Sequence, residues 1–553
     1  MIHEEKSLPL WSTVLVLAAA FLLVYPLWNL GMRDIFWDEG EYAAILAELN
    51  RFPPEVRAHG EFIPGYYPLY PLFVKAVLLT GVPMEFALRF ISVSALAGLA
   101  VMVGVIGCRM AGVRAGAMSA AVMFTTLITA EKAVEGYPNT LTVLLIFSGS
   151  LLWFYLGQFG GSWNLGWLTT GLFAGLSFYC GGWTALMYFL VPMMFQKRPF
   201  TPWRRFDQVG FPGGILILLI FILLWLIPNW AADCSSLLYL EDYSIWDYLV
   251  HIFDTLADIA FRFLPWTFFL YAPFCPALMV LDKNPLFSKY LRTLFVVTAV
   301  LLVLNPFSRA RDIMYLLPAF SLLAGLNYDI VVRRHGTVMC RILRWAAVMI
   351  FCIAVGILLL HLVPVSLINS LPVLKKLYPD SFLKLPQTGS LVEVLFAVLI
   401  AAGGYLMTFR QRTVWLITLL IFTAGMLCYS SVVLPRRAAQ RTRSEMGAAF
   451  RQAIGASFRP DMIVYKDDAI SGLYPECHYL GAPVRTILFT GTGELKEKEV
   501  YLLSPSSIQP PDVTRTWTKT MDVIYKKKNL YMWKGILNDR ENGPENDYRS
   551  MRF

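Results

Sequence analysis

Charged residues are scarce in this chain. Only 15% of its 553 residues are Asp, Glu, Lys or Arg, while 57% are hydrophobic. So low a charged fraction excludes an ordinary soluble domain, in which about a quarter of the residues carry charge. Aromatic residues, in contrast, are plentiful, with 16 Trp and 26 Tyr. This composition is typical of a protein that crosses a membrane many times.

Familiar cofactor motifs are also missing from the sequence. None of its eight cysteines lies in a CxxC pair, and their spacing does not indicate a disulfide framework. One bond between Cys234 and Cys477 is conceivable, although small buried apolar residues are the commoner interpretation. The histidines have neither HExxH nor paired spacing, so no metal ligand is assigned, while dependence on a divalent metal stays open. No nucleotide-binding fingerprint is present.

Long apolar windows follow one another through residues 1–434. Each approaches the roughly 20 residues that a helix needs to cross a hydrocarbon core about 30 Å thick. We count about thirteen windows, and the pair beside Cys180 is short enough for a broken or re-entrant hairpin. The windows lie near residues 10–31, 85–107, 115–130, 140–157, 165–180, 183–195, 210–228, 262–281, 293–306, 313–331, 342–363, 390–408 and 413–434. Residues 1–434 are therefore predicted to form an all-α polytopic membrane domain.

Basic residues orient these spans, because short cytoplasmic loops retain Lys and Arg. If the N-terminus is cytoplasmic, most basic clusters fall on that side, and loops 32–84 and 229–261 face outward. The clusters are Arg109/Arg114, Lys197/Arg198/Arg204/Arg205, Lys283/Lys289/Arg292, Arg333/Arg334/Arg341/Arg344 and Arg410/Arg412. Topology thus explains most of the formal charge of +9, and no basic, aromatic groove indicates nucleic-acid binding. We expect an integral protein of the inner or plasma membrane.

The composition changes after Leu434, where a more polar segment begins. Residues 435–538 are predicted to form a small α/β domain on the extracytoplasmic side. A helix is expected over 444–458, strands at 462–465, 486–489 and 500–503, and a hairpin that pairs 523–525 with 530–533. The polar tail, 539–553, is predicted to be disordered.

Three carboxylates stand where the first apolar window ends: Asp38, Glu39 and Glu41. An ionised acid near hydrocarbon loses hydration, so a cluster of acids there is by default a functional hypothesis. The spacing of apolar residues over 42–49 predicts an amphipathic helix along the membrane surface. The acids would lie at its N-terminal end, where free N–H groups favour anions. Asp38 could simply cap the helix, and Glu39 or Glu41 alone could equally have such a structural role.

Two outward arginines, Arg309 and Arg311, break the positive-inside expectation. A guanidinium stays charged and offers planar, forked donors, which suits a phosphate group. The alternatives are that Arg311 pairs locally with Asp312 or that it binds a lipid headgroup.

Aromatic and acidic side chains in the outward loops are candidates for lining a cavity. Tyr66 and Tyr67 belong to a segment rich in aromatic residues and proline, Glu135 lies between the third and fourth windows, and Tyr315 follows the arginines. With Glu41 they complete the predicted substrate cavity.

These features resemble the GT-C glycosyltransferases, specifically the superfamily of protein O-mannosyltransferases and lipid A aminoarabinose transferases. The resemblance is carried by Asp38-Glu39 in a D-E-G-x-Y-A-like pattern, by Pro68-Leu69-Tyr70, by Ala87-Leu88-Arg89-Phe90 and by the basic stretch before Tyr315-Leu316-Leu317-Pro318. It covers roughly residues 10–435, and the layout of many spans followed by an outward domain is also similar. The resemblance implies a polyprenyl-phosphate sugar donor and transfer on the outer face of the membrane.

The resemblance also implies roles at the matching positions. Asp38 would act as general base on the acceptor or orient it, and Glu39 would support it. Arg309 or Arg311 would hold the donor phosphate, and Glu135 is similar to a second outward acid.

One stretch departs from the family pattern. The aminoarabinose enzymes carry an acidic-lysine-proline-proline stretch where this chain has Tyr66-Tyr67-Pro68. Aminoarabinose as the sugar, and any metal bound through that missing acid, are therefore in question.

The predicted function is inverting transfer of a sugar from a polyprenyl-phosphate donor to a lipid, protein or glycan acceptor. A lipid-linked donor also agrees with the missing nucleotide fingerprint. The alternatives are a transporter or flippase for lipid-linked sugars and a non-catalytic glycan-assembly protein. A transporter should show charges at mid-span or paired interrupted helices, and neither pattern is evident.

Overall fold

The computed structural model describes residues 10–538 with short gaps. The gaps are residues 26, 28–29, 37, 50–53, 64, 230–243, 363–386, 410–413, 441, 471, 496 and 526–527. Cys234 and the polar tail therefore lie outside the described residues. The chain divides into a larger unit, 1–34, 53–55 and 64–441, and a smaller unit, 35–52, 56–63 and 442–553.

The larger unit is built from helices. In chain order they are α1 Leu10–Val24, then α3 Leu69–Leu78, α4 Met84–Ala111, α5 Val113–Thr125, α6 Leu127–Lys132, α7 Asn139–Gln158, α8 Trp163–Met194, α9 Gly210–Leu226, α10 Ile245–Arg262, α11 Tyr271–Phe274, α12 Pro276–Met279, α13 Pro285–Leu304, α14 Leu317–Leu362, α15 Gln387–Phe409 and α16 Val414–Gln440. Seven helices within the described part of the chain are long and apolar enough to cross a membrane, and four shorter helices are also apolar. The protein is an integral membrane protein with a mostly helical membrane domain, as the composition predicts.

Several helices join or split the apolar windows differently from expectation. The windows at 165–180 and 183–195 fall within one element, α8, whose two helical segments are joined at a kink at Gly182. Those at 313–331 and 342–363 belong to one helix, α14. The window at 262–281 contains only the short elements α11, α12 and a 3-10 turn, because prolines at 265, 273 and 276 interrupt any longer helix.

The kink in α8 lies at Gly182, whose φ of 67° is open to glycine but rarely to other residues. The ring of Tyr67 occupies the space that a side chain at position 182 would need. Tyr67 is buried, and its ring centroid lies 5.3 Å from that of Trp225 and 5.6 Å from that of Phe178. The bend in α8 and the packing of Tyr67 therefore depend on each other.

A buried arginine in α4 fixes the segment that follows the first helix. Arg89 is only 2% exposed, and its guanidinium donates to the carbonyls of Leu30, Arg33 and Asp34 at 2.7, 2.6 and 2.9 Å. A buried charge is tolerated only when its hydrogen-bonding groups have partners, and the planar fork of Arg can reach several acceptors at once. Arg89 thus fixes the backbone of residues 30–34, which follow α1 in the chain.

The smaller unit contains a five-stranded mixed sheet. Its elements are α2 Asp38–Glu48, β1 Arg57–Ala58, β2 Glu61–Phe62, α17 Ser444–Ile454, β3 Val464–Asp467, α18 Tyr474–Leu480, β4 Val484–Ile487, β5 Glu499–Ser504, β6 Arg515–Tyr525 and β7 Lys528–Leu537. The sheet order is β4-β3-β5-β7-β6, with β3 parallel to both neighbours and β5-β7-β6 antiparallel. The C-terminal helix, strands and hairpin predicted from the sequence are all present, with bounds shifted by a few residues.

Apolar side chains cover both faces of this sheet. Tyr501, Leu503 and Met532 pack with Phe450 of α17 on one face, and Leu502, Trp517 and Trp533 pack on the other. Alternation along β5 assigns neighbouring residues to opposite faces. Helix α18 forms the crossover between the parallel strands β3 and β4 and buries Cys477 and Leu480 in the first of these cores.

We predict that Arg89→Lys destabilises the protein by about 2 kcal/mol. A lysine cannot reproduce the planar fork, and each hydrogen bond lost from a buried charged group costs about 1.5–3 kcal/mol. Thermal unfolding of the purified protein would show the change. Arg109→Lys is the matched control, because Arg109 lies exposed near the end of the same helix. Equal melting temperatures for the two variants would show that the hydrogen bonds from Arg89 to the backbone of residues 30–34 do not stabilise the protein.

Candidate functional site

The three predicted acids lie at the start of α2 in the smaller unit. Asp38 is the first residue of the helix and is partly exposed, Glu39 is fully buried, and Glu41 is partly buried. Glu39 Oε2 accepts a hydrogen bond from the Phe36 amide at 3.4 Å. The start of the helix at Asp38 agrees with the sequence prediction, and Glu39 reaches back to the segment before the helix.

Burial of helix α2 extends over more than one of its faces. Gly40 and all residues from Tyr42 to Leu46 are buried, which is more than one face of a helix of this length. A helix lying on a membrane surface would leave its polar face in water. The structure therefore differs from the surface helix that the apolar spacing predicts, because burial here extends to the small residues Gly40, Ala43 and Ala44.

A short hairpin, β1–β2, follows α2 in the smaller unit. His59 and Gly60 form its turn with φ values of 56° and 83°. The Gly60 amide donates to Glu48 Oε1 at 2.9 Å, and the His59 carbonyl accepts from the Thr486 amide at 2.9 Å. The His59 ring stacks on Tyr474 at 4.8 Å. Burial, with the nearby charge of Lys466, lowers the pKa of His59 to about 3.

The predicted phosphate-binding arginines lie in the larger unit, in a 3-10 segment, Ala310–Leu316, and just before it. The carboxylate of Asp312 organises this segment: Oδ2 accepts from the Arg309 amide at 2.8 Å and Oδ1 from Asn139 Nδ2 at 2.9 Å. The guanidinium of Arg311 lies 4.5 Å from the ring centroid of Tyr137. The arginine segment therefore contacts the start of α7.

Glu135 belongs to the same polar region, because it lies in the loop between α6 and α7. It pairs with Lys132 at 3.1 Å and lies two residues from Tyr137. Tyr315 is partly buried and packs against Tyr188 with the two rings tilted and their centroids 4.5 Å apart. The structure thus brings Glu135, Arg311 and Tyr315 to one end of the membrane helices.

Tyr66 and Tyr67 have different surroundings. Tyr66 is partly exposed, whereas Tyr67 is buried in the bend of α8. The position of Tyr67 indicates packing, and its lining of a cavity stays a prediction.

Helix α10 supplies polar side chains that the sequence analysis does not identify, because most of the helix lies within the predicted loop 229–261. His251 Nε2 lies 3.0 Å from the Asn305 carbonyl and 3.1 Å from Ser308 Oγ. Arg262 pairs with Glu131 at 2.6 Å. A signal was available, because residues 251, 255, 258 and 262 are polar at helical spacing while the intervening positions are largely apolar.

Metal binding finds no direct support in the part of the chain that the structure describes. No group of three or more His, Cys, Asp and Glu side chains there could hold a metal ion. Cys477 forms no disulfide with any cysteine in the described ranges, and Cys234 lies outside them.

The described chain therefore has a membrane domain of many helices and a small mixed-sheet domain. Solved structures share this fold. ArnT from Cupriavidus metallidurans in the apo state aligns with a TM-score of 0.69 at 17% identity, covering 95% of this chain and 97% of that chain. The same protein bound to undecaprenyl phosphate aligns with a TM-score of 0.67 at 16% identity, covering 95% and 98%.

These alignments extend over nearly the whole of both chains and confirm the predicted fold. No family model and no curated protein matches the sequence.

We predict that the β1–β2 hairpin loosens as the pH falls from about 6.5 towards 3. In that range the folded state keeps His59 neutral while an undocked hairpin takes up a proton, so stability is present above pH 6.5 and is lost on acidification. The loss at pH 5 should be roughly 1–2 kcal/mol.

Hydrogen exchange of residues 56–63, corrected for the intrinsic effect of pH, measures this change. His59→Asn removes the titrating ring and tolerates a positive φ. The variant should therefore show a flatter pH dependence, and a slope equal to that of the unaltered protein would contradict the role of His59.

Proposed function

We propose that this protein is a membrane-embedded, inverting glycosyltransferase that uses a polyprenyl-phosphate sugar. The observation that carries the proposal is the fold shared with ArnT over 95% of the chain, together with the lipid phosphate bound to that relative. The polar region around Arg309 and Arg311 supports it, because this region combines guanidinium groups with a preformed segment between membrane helices.

The proposed reaction moves one glycosyl group. An acceptor oxygen attacks the anomeric carbon, the bond from that carbon to the phosphate oxygen breaks, and the polyprenyl phosphate leaves with the electron pair. The proton of the acceptor passes to a carboxylate, for which we propose Asp38. Attack from the face opposite the leaving group inverts the configuration of the anomeric carbon.

The demands on the protein are modest, because a phosphate ester is already a good leaving group. The protein must align the reactants, accept one proton and neutralise the charge that grows on the departing phosphate. Asp38 is partly exposed at the start of α2, so its carboxylate is accessible. Buried Glu39 is proposed to support the helix start, and Arg309 and Arg311 to hold the phosphate.

The acceptor and the side of the membrane are part of the proposal. Basic-residue topology supports transfer on the outer face, with the N-terminus in the cytoplasm. The acceptor is a hydroxyl of a lipid, protein or glycan. The departure at Tyr66-Tyr67-Pro68 argues for a sugar other than aminoarabinose.

We predict that Asp38→Asn lowers turnover at least a hundredfold, because the amide cannot accept the proton of the acceptor. Folding should be unaffected, since Asn is as good as Asp at a helix N-terminus. Transfer from a labelled polyprenyl-phosphate sugar measures the effect. Asp522→Asn on the exposed part of β6 is the control. Turnover within a few-fold of the control would exclude Asp38 as the base.

We predict that Arg311→Lys weakens binding of polyprenyl phosphate by tenfold or more. The substitution keeps the charge but loses the fork and the stacking on Tyr137, and a charge-assisted hydrogen bond contributes about 1.5–3 kcal/mol. Titration calorimetry in detergent gives the dissociation constant. Arg333→Lys, at an exposed position of α14, should bind as the unaltered protein does.

A product assay separates the proposed enzyme from a carrier. Purified protein in liposomes should release free lipid phosphate and label the acceptor. Movement of the labelled lipid across the bilayer without cleavage of the sugar–phosphate bond would overturn the proposal.

A further inference from the structure

The helix that carries the acids is held by α18, a helix more than 400 residues further along the chain but within the same unit. Two contacts are involved, and they lie on either side of Asp38 in the sequence. The Ile35 amide donates to the phenolic oxygen of Tyr479 at 2.8 Å. Gly40, two residues after Asp38, packs against Pro475.

The contact at Gly40 has no room for a side chain. A Cβ atom at this position would lie 2.5 Å from both Cγ and Cδ of Pro475 and 2.6 Å from its backbone nitrogen. Such an approach is closer than real carbon atoms make, so glycine is required for α2 and α18 to pack at this distance. Ile35 is itself fully buried.

Pro475 and Tyr479 are four residues apart and therefore share one face of α18. The opposite face is anchored in the domain, since Cys477 and Leu480 lie in its apolar core. Glu476 is fully buried and accepts a hydrogen bond from Tyr525 at 2.5 Å. Helix α18 is thus anchored in the domain through one face, and its other face contacts the segment around Asp38.

We propose that α18 sets the orientation of Asp38, with Pro475 and Tyr479 as positioning residues for sugar transfer. The inference rests on the proposed function, because it assigns a purpose to the fixed orientation of that carboxylate. Proton transfer requires the base within hydrogen-bonding reach of the acceptor, and a displacement of about 1 Å can cost roughly a hundredfold in rate. The C-terminal domain then contributes to the reaction without touching the reacting atoms.

Tyr479→Phe tests the first contact, because it removes only the oxygen that accepts from Ile35. The matched control is Tyr465→Phe, which removes a hydroxyl bonded to Glu497 elsewhere in the same domain. For Tyr479→Phe we expect hydrogen exchange of residues 35–48 to accelerate and kcat to fall about tenfold, with little change in the KM for the donor. The control should change neither quantity.

Gly40→Ala tests the second contact independently. Its control is Gly491→Ala, where the nearest neighbour of an added Cβ lies at 4.0 Å. We expect Gly40→Ala to reproduce faster exchange of residues 35–48 and a lower kcat, while exchange of strands β5–β7 stays unchanged and shows that the domain is folded.

Unchanged exchange of residues 35–48 in both variants would overturn the inference, as would normal kcat in the presence of faster exchange. The measurements also separate this inference from the proposed function. If Asp38→Asn retains turnover, the proposed role of Asp38 fails by itself, and exchange still reports whether α18 holds the helix.

Discussion

A guanidinium that is removed from water must find its acceptors inside the protein, and Arg89 finds three in the backbone between Leu30 and Asp34. These hydrogen bonds fix the first residues of the loop against another helix. The loop does not simply begin where hydrophobic residues end, since its first carbonyls are bound to a side chain of another helix. The last residues of the larger unit before α2 therefore have a defined position within that unit.

The smaller unit is discontinuous in the sequence. It is assembled from pieces of the first loop and from the C-terminal segment, which are separated by the whole membrane domain in the sequence. Its contacts with the hairpin include the backbone hydrogen bond from Thr486 to His59 and the stacking of His59 on Tyr474. Contacts so distant in sequence form slowly, because the loop between them must first be closed. The unit is complete only when the last part of the chain has been made.

Much of the fold could be predicted from the sequence for simple physical reasons. Apolar windows gave the membrane helices, and period-two patterns gave the strands of the C-terminal domain. The errors have equally simple causes. A hydropathy window cannot detect where prolines interrupt the helix expected over 262–281, and the polar residues at helical spacing in α10 lie within an expected loop.

The candidate site also combines features that the sequence predicts with features that it does not. Asp38 at a helix start and the arginines before α14 were recognisable from residue type and position. The bonds of Asp312 to Asn139, of Arg262 to Glu131 and of Ile35 to Tyr479 were not, because each joins residues between about 130 and 450 positions apart. A single sequence contains no signal for such pairs.

The packing of Tyr67 into the bend at Gly182 has a consequence for how related sequences can diverge. Any residue with a side chain at position 182 would collide with the aromatic ring, and a small residue at position 67 would leave a void beside Phe178 and Trp225. Neither position can be replaced alone without loss. Orthologues should therefore keep both residues or exchange both together, and co-variation of this pair would be visible in an alignment even where the surrounding identity is low.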